Sequence, residues 1–101
     1  MTVTVGVDSY VDESQLQAYA DARGIALTGD LSVLLINSMD YIESQSYKGY
    51  KTDETQPLDW PRTGVYVDRR YLDPTVVPAD IEKAQMQGAV EISNGGDLNA
   101  S

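Results

Sequence analysis

Sixteen carboxylates, seven cations and a single tryptophan are the residues of this chain with the chemistry to act on something. The carboxylates come in pairs at Asp12-Glu13 and Asp53-Glu54, with Asp59 nearby in sequence. A hard cation needs several oxygens converging on one point, and no DxDxDG-type loop supplies them. The acidic residues therefore read as solvated charges and helix caps. Cysteine and histidine are absent. Their absence excludes disulfides, thiolate or imidazole metal ligands, and a Ser-His-Asp arrangement. Lys48, Lys51 and Lys83 sit in no Ser-Lys motif, and Gly95-Gly96 follows no strand, so it is no phosphate loop. The reading is a non-enzyme with no catalytic residues, no cofactor and no metal.

The stretch Leu58-Asp59-Trp60-Pro61-Arg62-Thr63-Gly64 is more informative. A residue before proline is restricted, so the Trp60 ring leaves the loop in a set direction. It either plugs a core or anchors an interface. Arg62 can lock the loop to a helix carboxylate or pair with a neighbouring subunit. Trp60, Pro61, Arg62, Tyr66, Arg69 and Arg70 are the candidate loop-fixing and interface residues. Lys48, Tyr50 and Lys51 are further interface candidates. Tyr47 and Tyr71 add aromatic density, which can equally form a second small core.

Charge concentrates in the same window. Residues 48–70 hold five of the seven cations, Lys48, Lys51, Arg62, Arg69 and Arg70, against four carboxylates, a net of +1. Two cations and twelve carboxylates remain elsewhere, a net of −10, and the whole chain carries −9. A generic nucleic-acid binder presents excess positive charge, because phosphate neutralisation supplies most of its affinity. The whole-chain balance thus points to contact between protein surfaces before nucleic acid.

The elements that must position this window are helical. Asp12 is an N-cap with Gln15 as its capping-box partner, and Leu16, Tyr19, Ala20 and Arg23 follow at helical spacing until Gly24, predicting a helix over 13–23. Thr28 or Asp30 caps a second helix with one apolar face of Leu31, Leu34, Leu35, Ser38, Met39 and Ile42. That pattern fades after Tyr47 and breaks at Gly49. Pro78 begins a third helix at its first position, with Ile81, Ala84, Gln85, Gly88 and Ile92 on one face. Residues 48–76 lack helical periodicity and hold Gly49, Pro57, Pro61, Gly64 and Pro74; Val65-Tyr66-Val67 is a brief strand signal. The expected fold is mainly all-α: a small three-helix domain, with a long irregular loop or short hairpin between helices 2 and 3. One domain spans 1–92, with an N-terminal arm over 1–9 and the long loop over 48–76, and 93–101 is a flexible tail. At 101 residues the chain has room for one modest core. No apolar run reaches the roughly 20 residues that span a bilayer, and MTVTVGVDSY has no signal-peptide character.

The order of these pieces resembles a known family. Tyr10-Val11 leads into a helix carrying Ala18-Tyr19-Ala20 and ending Arg23-Gly24. A helix with Asp40-Tyr41-Ile42 follows, then Gly49, the Leu58–Gly64 loop, and Val77-Pro78 with Ile81 and Ala84. The arrangement resembles the head–tail connector (adaptor) proteins of tailed bacteriophages, often labelled DnaT-like single-stranded DNA-binding proteins. It implies a structural virion protein of the neck, made in the host cytoplasm. It implies a homo-oligomeric ring, commonly of twelve copies, that binds the portal protein and a tail or second adaptor protein and lets viral DNA pass. No membrane is involved. An acidic wall would repel the passing phosphates. Two departures stand out: Ile25-Ala26-Leu27 lacks an expected tryptophan, and the chain stops soon after Ile92. The alternative is a DnaT-like single-stranded DNA-binding replication protein, whose stacking aromatics are present here without a basic groove.

Overall fold

A computed structural model describes residues 2–45 and 47–95. The first helix, α1 (Glu13–Ala22), opens on a complete capping box: the Asp12 carboxylate accepts from the Gln15 N–H at 2.7 Å, and the Gln15 side chain accepts from the Asp12 N–H at 2.9 Å. The second, α2 (Leu31–Glu43), starts at Asp30, whose carboxylate accepts from the Ser32 N–H at 2.8 Å. It stops sooner than its apolar pattern, because Ser44 turns its hydroxyl back onto the Tyr41 carbonyl at 2.6 Å. The third, α3 (Ala79–Ser93), begins one residue after Pro78, which occupies the N-cap with extended backbone in place of the first helical position. Helices α2 and α3 form the main pair, and α1 packs across both.

The chain is not all-α. Between α2 and α3 it builds two small antiparallel sheets, so the fold is α+β. Strands β1 (Tyr50–Lys51) and β2 (Arg62–Thr63) pair Tyr50 with Thr63 and Lys51 with Arg62. Strands β3 (Tyr66–Val67) and β4 (Arg70–Tyr71) pair Tyr66 with Tyr71 and Val67 with Arg70. The physical reason lies in the turns. Gly49 has φ +75°, and a Cβ there would collide with the Thr63 carbonyl oxygen, so only glycine lets β1 approach β2. Asp68 and Arg69 both have positive φ, 52° and 69°, as a two-residue type I′ hairpin requires. Asp68 suits the first position of such a turn, but Arg69 stands where glycine normally announces it, which weakens the second hairpin's signal in a reading of residue types.

Two apolar clusters result. The first joins Val3, Val11, Leu16, Leu34, Leu35 and Ala89, and so draws the start of the chain onto the helices. Around it Gln85, fully buried, holds three elements together. Its carbonyl oxygen accepts from the Tyr10 N–H at 3.0 Å, and its amide donates to Ser9 Oγ at 2.7 Å and to the Leu35 carbonyl at 3.2 Å. The second cluster joins Tyr10, Met39, Ile42, Leu58, Trp60 and Val65 and seats the inter-helix segment on the ends of α2 and α3. The arm over 1–9 is docked from Val3 onward: Thr4 N–H donates to the Asp8 carboxylate at 2.7 Å, closing a tight loop. Of the tail expected over 93–101, Ser93 ends α3 and its hydroxyl accepts from the Thr28 N–H at 2.7 Å. Residues 96–101 lie outside the described residues.

Candidate nucleic-acid interface

Trp60 is the mostly buried foundation of the site. It is 7% exposed, and its ring meets Tyr47 edge-on at 5.2 Å. The Trp60–Pro61 peptide bond is cis. Two polar fixtures hold the surrounding backbone. In the first, the Tyr10 hydroxyl donates to one Glu43 oxygen at 2.8 Å and accepts from the Trp60 N–H at 3.0 Å, while the other Glu43 oxygen accepts from the Asp59 N–H at 2.9 Å. Burial, and then the hydrogen bond to Glu43, push the Tyr10 hydroxyl well above the usual tyrosine pKa. Burial raises Tyr47 as well.

The second fixture is Arg62. Its guanidinium pairs with no carboxylate; it reaches backbone carbonyls on both sides of the first hairpin. Nε donates to Lys48 O at 2.9 Å and Nη1 to Asp59 O at 3.2 Å, and Nη2 donates to Gly49 O at 2.9 Å with a longer contact to Tyr47 O at 3.5 Å. The planar fork of arginine suits this task, because several donors leave one rigid group in divergent directions. Lys51 is likewise occupied, donating to the Gln56 carbonyl at 3.3 Å. Arg23 donates to the Tyr19 carbonyl at 3.1 Å and stacks on the Tyr19 ring.

Three of the seven cations are thus committed to holding backbone. The side chains of the other four, Lys48, Arg69, Arg70 and Lys83, make no hydrogen bond or ion pair among the described residues. Arg69 and Arg70 sit together on the second hairpin, in its turn and at the start of β4. Beside them the rings of Tyr66 and Tyr71, 57% and 72% exposed, meet edge-to-face at 5.0 Å. Tyr50, 65% exposed, lies over Gly64 next to the same hairpin. Lys48 opens into a groove that Tyr66 and Val67 also line.

The structure therefore divides the residues singled out by sequence. Trp60, Pro61, Arg62 and Lys51 build and brace the segment, whereas Lys48, Tyr50, Tyr66, Arg69 and Arg70 are presented to solvent. Tyr71 completes the exposed patch. Its signal was its spacing: a two-residue turn places residue 71 directly across from residue 66. Among the described residues, no three acidic, cysteine or histidine side chains converge as a metal site, and no helix is long and apolar enough to cross a membrane.

An exposed edge-to-face pair of tyrosines flanked by free arginines is the composition of a single-strand contact surface, with rings for bases and cations for phosphates. Comparison with known families agrees in kind: a family model described as "Putative DnaT-like ssDNA binding protein" matches residues 2–101. That description speaks of single-stranded DNA and not of a virion connector. No curated protein and no solved structure matches the chain. With the match running over all but the first residue, this chain belongs to the DnaT-like single-stranded DNA-binding family.

Proposed function

We propose that the chain is a binding protein, not an enzyme, and that it contacts single-stranded DNA through its second hairpin. The observation that carries this is the patch of Tyr66, Tyr71, Arg69 and Arg70, exposed and uncommitted on a chain of net charge −9. Family membership supports the same reading. The acidic remainder sets its strength. Lys48, Arg69 and Arg70 are the uncommitted cations of this segment, Arg62 and Lys51 being engaged with backbone carbonyls, so affinity belongs at the weak end, a dissociation constant of roughly 10⁻⁴ to 10⁻⁶ M. Three released counterions give a slope of log K against log salt of about −2. Fluorescence anisotropy with a labelled oligonucleotide at several salt concentrations tests this. Replacing Arg69 and Arg70 by alanine should abolish the binding. Flat titrations at low salt, or unchanged binding by that double variant, would overturn the proposal.

The net charge of −9 favours a second reading, an acidic ring subunit of a phage head–tail connector. Its partners would be further copies, a portal protein and a tail or second adaptor protein, and its place the virion neck. Tyrosines beside arginines also make good protein-interface anchors, so the same hairpin would serve. Light scattering of the protein alone and mixed with a portal protein distinguishes the two: a large complex together with flat DNA titrations selects the connector.

A further inference from the structure

Next to the second hairpin lies a groove of about 470 Å³, within the size range of small-ligand clefts. Trp60, Val65 and Leu72 supply apolar lining, and Ile81 comes from the first turns of α3. Lys48 and Asp80 also line the groove. Both residues are exposed, and their side chains engage no group among the described residues in a hydrogen bond or ion pair. The groove is continuous with the hairpin patch, because Tyr66 and Val67 belong to both.

Building on the single-strand reading, we infer that this groove receives one unstacked base of the bound strand, with Asp80 selecting bases that carry an exocyclic amino group. Charge decides the occupant. Lys48 lines the groove, Arg69 and Arg70 lie on the adjoining hairpin, and none of the three pairs with a described residue, so a chain that enters here with a phosphate on either side of an apolar, flat group is complementary to both features. An uncharged apolar peptide would leave those cations unanswered. Single-stranded bases are read on their edges once they leave the stack. A carboxylate from the groove's lining can accept from the amino group of cytosine, adenine or guanine. Thymine has no amino group and offers only its ring N–H.

Trp60 is the chain's single tryptophan and forms part of the groove wall, so it reports occupancy without a label. Oligo(dC), oligo(dA) and oligo(dT) of one length, and an abasic oligomer of that length, would be titrated by anisotropy and by tryptophan emission. Base-bearing oligomers should bind at least about fivefold more tightly than the abasic one, the low end of base–aromatic stacking, and should change Trp60 emission. Oligo(dC) should outbind oligo(dT), and Asp80→Asn should shrink that ratio; simple loss of a negative charge would raise both affinities together and leave the ratio unmoved. Abasic and base-bearing oligomers binding equally, with Trp60 emission unchanged, would overturn the groove assignment while leaving DNA binding standing. Equal affinity for cytosine and thymine would overturn the role of Asp80. Absence of binding by every oligomer would bring down the single-strand reading and this inference together.

Discussion

Arg62 shows how one side chain can organise a segment without meeting a partner of opposite charge. Four carbonyls that would otherwise need water or a strand partner converge on its guanidinium. Truncation removes the shared donor from all four, two of them, Asp59 O and Tyr47 O, in partly buried contacts. Arg62→Ala should therefore destabilise the fold by about 2–3 kcal/mol, the range for hydrogen bonds to charged groups. Lysine keeps the charge but not the fork, so Arg62→Lys should recover less than half of the loss. Denaturant melts of the two variants check this; a lysine variant as stable as the parent would show that charge, and not geometry, is what the segment needs. Asp53 and Asp73 act on a smaller scale, each accepting from the hydroxyl and N–H of a threonine two residues on. Those hydrogen bonds hold both carboxyls below the usual aspartate pKa.

At the scale of the element, the second hairpin is built against local preference. Positive φ at Asp68 and Arg69 costs on the order of 1 kcal/mol at each residue, since a Cβ crowds the backbone there. Such strain survives where the surrounding structure enforces it, and it gathers at functional positions. Cross-strand packing of Tyr66 on Tyr71 and the Leu72 N–H to Val65 O bond at 2.8 Å do the enforcing. Arg69→Gly relieves the strain and removes a free cation in one step. It should raise stability by about 1 kcal/mol and weaken oligonucleotide binding, a trade between stability and function read from a melt and a titration on the same variant. A glycine variant that gained no stability would mean the turn is not strained at residue 69.

At the scale of the whole molecule, the buried hydroxyl of Tyr10 links the start of the chain, α2 and the inter-helix segment. Its pKa is raised on folding, so the folded state holds this proton more tightly than the unfolded chain. The resulting stability is present in full below the ordinary tyrosine value of 10.0 and is lost as pH climbs above it. Tyr47 contributes in the same direction. Thermal midpoints should fall steeply above about pH 10, and Tyr10→Phe should flatten that fall while lowering stability at neutral pH by about 1–3 kcal/mol, because the Trp60 N–H and one Glu43 oxygen lose their partner. An alkaline limb of undiminished slope in the phenylalanine variant would place the titrating group elsewhere.

The three helices were legible because their information is local. Asp12 with Gln15, Asp30, and the apolar spacing from Leu31 to Ile42 all act within a few residues, where periodicity and capping chemistry are readable directly. So was the uneven charge, which is additive and needs no coordinates. The two hairpins were legible only as a brief strand signal at 65–67 and an unplaced short hairpin, and the expectation of a mainly all-α fold failed on them. Their turns use Asp68-Arg69 and a glycine whose need is set by the distant Thr63 carbonyl, so the favourable terms come from pairing and not from propensity. Whether a side chain is committed or free also depends on tertiary structure. Arg62 and Arg69 are the same residue type seven positions apart. The fold spends one on four backbone carbonyls and leaves the other in solvent, because only the closing of the first hairpin brings those carbonyls within reach.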